Sequence, residues 1–367
     1  MNTEPSPRKV VYLIGAGASQ ACVSSVGSSK GILMRHLGEP LCLRLQHLVR
    51  TKYSEDPSLV NFVNTVVDEE TDFEHIITFL DDAPSKRHRQ FAEESRKAFA
   101  DVLRERLRSI SEETRGDELN LYKVLLDMYS IGPIRETLQG IITTNYDEYL
   151  EGAIEEIGKF QIDFGIHVEP SSQQDEHLRL LKLHGSFGWR DTWPISREQD
   201  NDATLWIPPG IHKAKQAYPF NVIWGLAREM LSCDVLRVIG CRLGANDWDL
   251  ISLLFTMRHV NAATLPQIEV IDAPEHVERL KMSYPYLELL SILEIEEIGR
   301  DLISEFTGGP SQEFSEFPPE EQECIIRSAG NEENWFELWL SAKVESLAIN
   351  LGTVSTDLGI VEKFLEA

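Results

Sequence analysis

Apolar residues follow two rhythms along this chain. At Val10, Val11, Tyr12, Leu13 and Ile14 they are consecutive, which predicts a short strand buried on both faces. From about residue 32 to residue 128 they recur every three to four positions, in LCLRLQHLV, DFEHIITFLDD, FAEESRKAFADVLRERLRSI and ELNLYKVLLDMYS. That period predicts amphipathic helices, punctuated by Pro57, Pro84 and Gly116. Consecutive apolar runs return after Gly132-Pro133: LQGIITT predicts a second buried strand, and the helix DEYLEGAIEEIG follows it. Shorter strands are expected around FGIHV and LRLLKLHG, then a Pro-, Trp- and Gly-rich stretch from 186 to 219 without period, expected to form a lid or pocket wall. Beyond it the pattern alternates: a helix over 221–231, strand VLRVIG, helix DWDLISLLFTMRHV, strand IEVID and helix PEHVERLKM.

Strands alternating with crossover helices predict an α/β fold, a Rossmann-like, doubly wound parallel sheet whose ligands lie at the carboxyl ends of the strands. A large helical insertion follows the first strand, and a helical extension ends the chain. The expected organisation is a sheet domain over 1–31 and 133–308, a helical lobe over 32–132, and an acidic helical extension over 309–367 entered through SQEFSEFPPEE. No internal repeat is visible.

Composition narrows the function classes. A chain of 367 residues with 42% hydrophobic content can bury a sizeable core. No run of 18 apolar residues occurs and the first residues, MNTEPSPRK, are polar, so neither a spanning helix nor a signal peptide is expected and the location expected is cytoplasmic. Cysteines 22, 42, 233, 241 and 324 form no C-x-x-C pair, against a disulfide framework or a zinc ribbon. A net charge of −25 disfavours direct nucleic-acid binding. Residues 311–367 carry twelve acidic and three basic side chains, a net of about −9, which reads either as a solvated helical surface or as a face for a basic partner.

Candidate chemistry sits where strands end. KVVYLIGAGAS runs from a strand into a Gly-Ala-Gly turn and then into small, helix-compatible residues, a place where Gly15 and Gly17 permit close backbone approach and a helix N-terminus faces a phosphate. Gln20 stands where the third glycine of a G-x-G-x-x-G fingerprint belongs. The second strand ends in Thr143-Thr144-Asn145-Tyr146-Asp147, in which Asn145 serves equally well as a helix N-cap or as a ligand to substrate. Leu183-His184-Gly185-Ser186 places an imidazole at a strand end, Gly240-Cys241-Arg242-Leu243-Gly244 is a further glycine turn, and Asp272 closes the next strand.

The order GAGAS, TTNYD, LHGS, IGCRLG, VIDA resembles the SIR2 superfamily over roughly residues 9–30 and 138–283. The helix DFEHIITFL also resembles one that recurs in the zinc-free bacterial branch of antiphage-defence NADases, such as the HerA-associated or Thoeris-like effectors. The resemblance implies NAD as substrate, with Gly15, Ala16, Gly17 and Ser19 against phosphate or ribose. Thr144, Asn145 and Asp147 would hold the nicotinamide side, His184 would act as catalytic base, and Asp272 would meet the adenosine ribose. Gly240 and Cys241 match the start of the sirtuin G-[ST]-S turn, but Cys241 and Arg242 replace its hydroxyls, so that Arg242 would pair with an anionic group instead. The four zinc cysteines and the I-P-D-F-R run of the deacylases are missing, so no metal site is expected.

What the resemblance implies is an NAD⁺ glycohydrolase releasing nicotinamide and ADP-ribose, with Asn145, Asp147 and His184 at the reacting bond. Such an activity needs gating, by homo-oligomerisation or by a partner such as a HerA-type ATPase or an Argonaute-like sensor. The alternatives are a zinc-free NAD-dependent deacylase or ADP-ribosyltransferase, and a catalytically idle nucleotide-binding subunit. A Rossmann dehydrogenase is disfavoured, because no strand near residues 34–39 ends in a ribose-binding acid.

Overall fold

In the computed structural model the described residues are 6–28, 30–68, 72–129, 136–166, 176–190, 204–210, 217–260, 266–291 and, near the C-terminus, 335–337, 339–340 and 343. The first strand, β1 (Arg8–Ile14), turns at Gly15 into α1 (Ala16–Ser25). Five helices follow: α2 (Met34–Lys52), α3 (Pro57–Val66), α4 (Phe73–Asp82), α5 (Lys86–Thr114) and α6 (Asn120–Asp127). The chain then forms β2 (Glu136–Thr143), α7 (Tyr149–Ile157), β3 (Phe160–Asp163), β4 (Glu176–Lys182), β5 (Gly185–Arg190) and β6 (Thr204–Trp206). It ends this run with α8 (Phe220–Met230), β7 (Val235–Ile239), α9 (Trp248–Val260), β8 (Gln267–Ile271), α10 (Pro274–Ser283) and β9 (Leu290–Ser291).

Seven strands form one sheet in the order β3-β4-β2-β1-β7-β8-β9, every neighbouring pair parallel. The doubly wound α/β architecture read from the alternating pattern is therefore present. Alternate residues of β1 feed two cores: Val10, Tyr12 and Ile14 on one face, Val11 and Leu13 on the other. Burial on both faces is why the strand reads as an unbroken apolar run. The helical insertion shares the first core, since Leu45, Ile77, Phe91 and Phe99 belong to the same cluster as Tyr12. Among the described residues no helix is long and apolar enough to cross a membrane.

Two local expectations are corrected. The strand expected at FGIHV lies earlier, at Phe160–Asp163: the Asp163 carboxylate accepts from Gly165 N at 2.7 Å, and Gly165 takes φ +75°, so the chain turns where the strand was expected. Within the stretch expected to lack structure, β5 and β6 pair antiparallel, a pairing that the glycines of GSFGWR hide from a period-two reading. Residues 191–203 and 211–216 of the expected lid, and 309–334 and 344–367 of the expected extension, lie outside the described residues.

The strand order reverses between β1 and β7, and there two turns interlock through their backbones. Gly15 N donates to Ile239 O at 2.9 Å, Gly17 N to Gly240 O at 2.9 Å, and Gly240 N to Ile271 O at 3.0 Å. A Cβ on Gly15 would stand 2.5 Å from Gly240 O, one on Gly17 2.8 Å from the same atom, and one on Gly240 2.1 Å from Ala18 N. Gly240 also has φ +58°. In the middle of β7, away from these turns, the Arg237 guanidinium is held by Glu136 through two 2.7 Å bonds and by Glu269 through one more of 2.7 Å. Tyr12 and Tyr129 each accept from it at 3.2 Å. Burial would raise the Glu136 carboxyl, but Arg237, Lys343 and Arg8 outweigh it and hold the group at about 2.

Three outcomes follow. Arg237→Met takes the counter-ion from buried Glu269 and leaves Glu136 with Arg8 and Lys343 alone, and is expected to cost about 3–5 kcal/mol in urea unfolding at pH 7. Because the folded value of Glu136 lies below its ordinary value near 4.3, its contribution is present above that pH and is lost as pH falls toward about 2. Glu136→Gln should accordingly flatten the acid limb of the stability curve in that window. Gly240→Ala is expected to cost at least about 1–2 kcal/mol from the left-handed backbone alone, and more from the contact with Ala18 N; unchanged unfolding midpoints would contradict the interlock.

Candidate functional site

The interlocked turns floor a cavity of about 320 Å³ at the carboxyl edge of the sheet. Gly15, Ala16 and Gly17 line it from the β1 turn, Gly240, Cys241 and Arg242 from the β7 turn, Thr144 from the end of β2, and Asp272 from the end of β8. Eight of the residues singled out from sequence thus meet in one crevice. The amides of Gly15 and Gly17 are spent on the β7 turn and that of Ala18 on Gly15 O, so the first turn of α1 faces an anion with its Ala16 amide and the helix dipole. That end carries no side-chain cap and no acidic residue in its first turn, and Arg35 and Arg242 stand on the same lining.

Asn145 does not cap a helix. The N-cap of α7 is Glu148, and the carboxylate that accepts from the start of the helix is Asp147, from Tyr149 N at 3.2 Å. The Asn145 amide is 5% exposed; its Nδ2 donates to Gly15 O at 3.1 Å and to Ser19 Oγ at 2.9 Å. A carbonyl oxygen only accepts, so the bond to Gly15 O fixes which end of the amide is nitrogen. Oδ1 is then left buried without a partner. Thr143 holds the strand end in place: its hydroxyl donates to Ile14 O at 2.9 Å and accepts from Asn145 N at 3.1 Å.

Ser19 lies fully buried beside this amide, and neither Ser19 nor Asn145 is on the cavity lining, which Thr144 and Gly15 reach next to them. The Ser19 hydroxyl lies 2.9 Å from Tyr122 OH and is hydrogen-bonded to the Asp147 side chain. Burial pushes the Asp147 carboxyl up, Lys182 opposes this and Glu151 reinforces it. Lys182, itself buried, donates to Glu151 Oε1 at 2.6 Å and to the Asp147 carbonyl. Asp147 therefore faces Ser19 and its own helix.

His184, also buried, follows β4 and lies off the cavity lining. Its carbonyl accepts from Ile207 N at 2.8 Å, and its ring lies 6.1 Å from that of Tyr146. Tyr146 in turn contacts Phe187 and Trp206, each at 5.4 Å, and Phe99 of α5 completes this aromatic enclosure. Gly185, at φ +75°, is needed because a Cβ there would stand 2.4 Å from Leu205 O. The room that the HG pair makes is taken by the backbone of β6.

Several lining residues escape the sequence reading, His276, Arg35, Asp247 and Trp335 among them. His276 Nε2 lies 3.1 Å from Arg242 Nη2, and its Nδ1 lies 3.1 Å from Asp272 Oδ1. Arginine only donates, so Nε2 accepts and Nδ1–H donates to the carboxylate. The Asp-x-x-x-His spacing after a strand is a signal that would have found it. Arg35 and Trp335 have no such signal, because tertiary packing alone brings the start of α2 and the C-terminal helix to the cavity. Gln20, in place of a third glycine, accepts from Ile32 N at 2.8 Å and ties α1 to the segment entering the helical lobe.

Residues 139–284 match the family model described as SIR2-like domain. No curated protein matches the sequence. Among solved structures, a chain from work on the structural basis for the mechanism and regulation of Sir2 enzymes is 14% identical, with 73% of this chain and 81% of that chain covered and a TM-score of 0.31. Two mutants of a Sir2 homologue in complex with ADP ribose are each 16% identical over the same shares, with TM-scores of 0.30 and 0.29. The SIR2-like match runs from within β2 to the end of α10, and so takes in Asn145, His184, Gly240 and Asp272.

Proposed function

We propose that this chain is an NAD⁺ glycohydrolase. The observation that carries the reading is the unpaired Oδ1 of Asn145, a buried acceptor beside Gly15 whose hydrogen bond is supplied by substrate. Leaving it orphaned costs about 1–3 kcal/mol, which a ribose hydroxyl or a bound water recovers. The SIR2-like match over the same strand ends supports NAD as the guest.

Cleavage of the bond between nicotinamide and ribose expels a neutral leaving group and places positive charge on the ribose. The residues divide the work by position. The N-terminus of α1 with Arg35 and Arg242 holds the diphosphate, while Asp272, oriented by His276, accepts from the adenosine ribose hydroxyls. Asn145 Oδ1 orients the nicotinamide ribose or the attacking water, and neutral His184 takes a proton from that water. Asp147 acts through Ser19 as a positioning residue. Tyr146, whose ring neighbours that of His184, packs against Phe99 of α5, so on this reading the helical lobe helps to exclude water from the reacting bond.

Unchecked consumption of NAD would be toxic to a cell, so the reading includes gating by self-assembly or a partner, as in the antiphage effectors that the sequence resembles. Nicotinamide release from NAD⁺ alone, without a peptide, is expected for the wild type in its assembled form and separates hydrolysis from deacylation. Asn145→Ala and His184→Ala are each expected to lower kcat by about 10²- to 10⁴-fold. Hydrolysis retained in both variants would overturn the assignment.

A further inference from the structure

The helical residues near the C-terminus dock on the sheet through a ladder of contacts. Lys343 Nζ lies 3.6 Å from Glu136 Oε1 at the amino edge of the sheet. Trp339 packs edge-on against Tyr12 with ring centroids 6.5 Å apart, and the Arg237 guanidinium lies 5.9 Å from its ring. Phe336 meets Tyr122 at 6.0 Å. The cavity described above lies at the carboxyl edge of the sheet. There Trp335, 6% exposed, borders the cavity.

The anchors Tyr12 and Arg237 belong to β1 and β7, and Trp335 lines the same cavity as Arg242, Asp272 and His276, which follow β7 and β8. Thr144, leading to Asn145 and His184, lies beyond β1 on the other side. The polar groups near β7 and β8, Arg242, Asp272 and His276, suit phosphate and ribose; a planar base beside them needs an aromatic or apolar wall. We propose that Trp335 is that wall, and that the C-terminal helix completes the nucleotide site by packing against the adenine. This rests on the reading of the cavity as a dinucleotide site, and it adds a residue more than sixty positions beyond Asp272.

The test is calorimetric titration of AMP, ADP-ribose and nicotinamide mononucleotide into the full-length wild type, Trp335→Ala, Trp335→Leu and Trp335→Phe. Loss of one base-on-aromatic contact is expected to weaken AMP and ADP-ribose roughly 5- to 150-fold in the Ala and Leu variants, with nicotinamide mononucleotide unchanged and the Phe variant within about threefold of wild type. The Leu variant keeps the volume, so it carries the test if the Ala variant fails to fold. Equal loss for AMP and nicotinamide mononucleotide, AMP binding as in wild type, or no nucleotide binding by the wild type would each overturn the proposal. A wild type that binds ADP-ribose but releases no nicotinamide removes the hydrolase reading and leaves this one standing.

Discussion

Backbone contact between the turn after β1 and the turn after β7 is the constraint on which the site depends. Gly15, Gly17 and Gly240 meet at distances that leave no place for a Cβ, and this close approach holds β1 against β7 where the strand order reverses. The amides of Gly15 and Gly17 secure that contact, so the glycines serve the fold first and the ligand second. What they deliver to the cavity is the end of a helix, free of side-chain caps and of acids in its first turn, on a lining that also holds Arg35 and Arg242.

Everything beyond the turn is hung from it. Gly15 O accepts from Asn145, Asn145 donates also to Ser19, and Ser19 joins Tyr122 of α6 to Asp147 ahead of α7. Tyr122 then carries Phe336, so the chain of contacts that aims one amide ends in the same helix that brings Trp335 to the cavity. Sheet, helical lobe and C-terminal helix are joined in one core around this axis. A buried ion cluster that runs from Arg237 in the middle of β7 to Glu136 at the start of β2 ties the same parts together.

The parts legible in the sequence are those set by local pattern. β1, β2, β7 and β8 announce themselves because burial on both faces demands consecutive apolar residues, and their ends then point to Gly15, Asn145, Gly240 and Asp272. The less legible parts depend on contacts between distant segments. The pairing of β5 with β6 is hidden by glycines that exist to let the two backbones approach. Asn145 reads equally as a cap or a ligand until the structure puts Glu148 at the N-cap, has Asp147 accept from Tyr149 N, and leaves Oδ1 alone. Arg35 and Trp335 sit in helices whose period describes only their packing, so nothing local marks them as part of the cavity.

The most direct measurement of the central claim is a crystal structure of the His184→Ala variant with ADP-ribose. The account predicts the diphosphate over the N-terminus of α1 between Arg35 and Arg242, with Asn145 Oδ1 within hydrogen-bond distance of a ribose hydroxyl or of a water bound to it. ADP-ribose bound elsewhere, or bound there with Asn145 Oδ1 still unpaired, would contradict it.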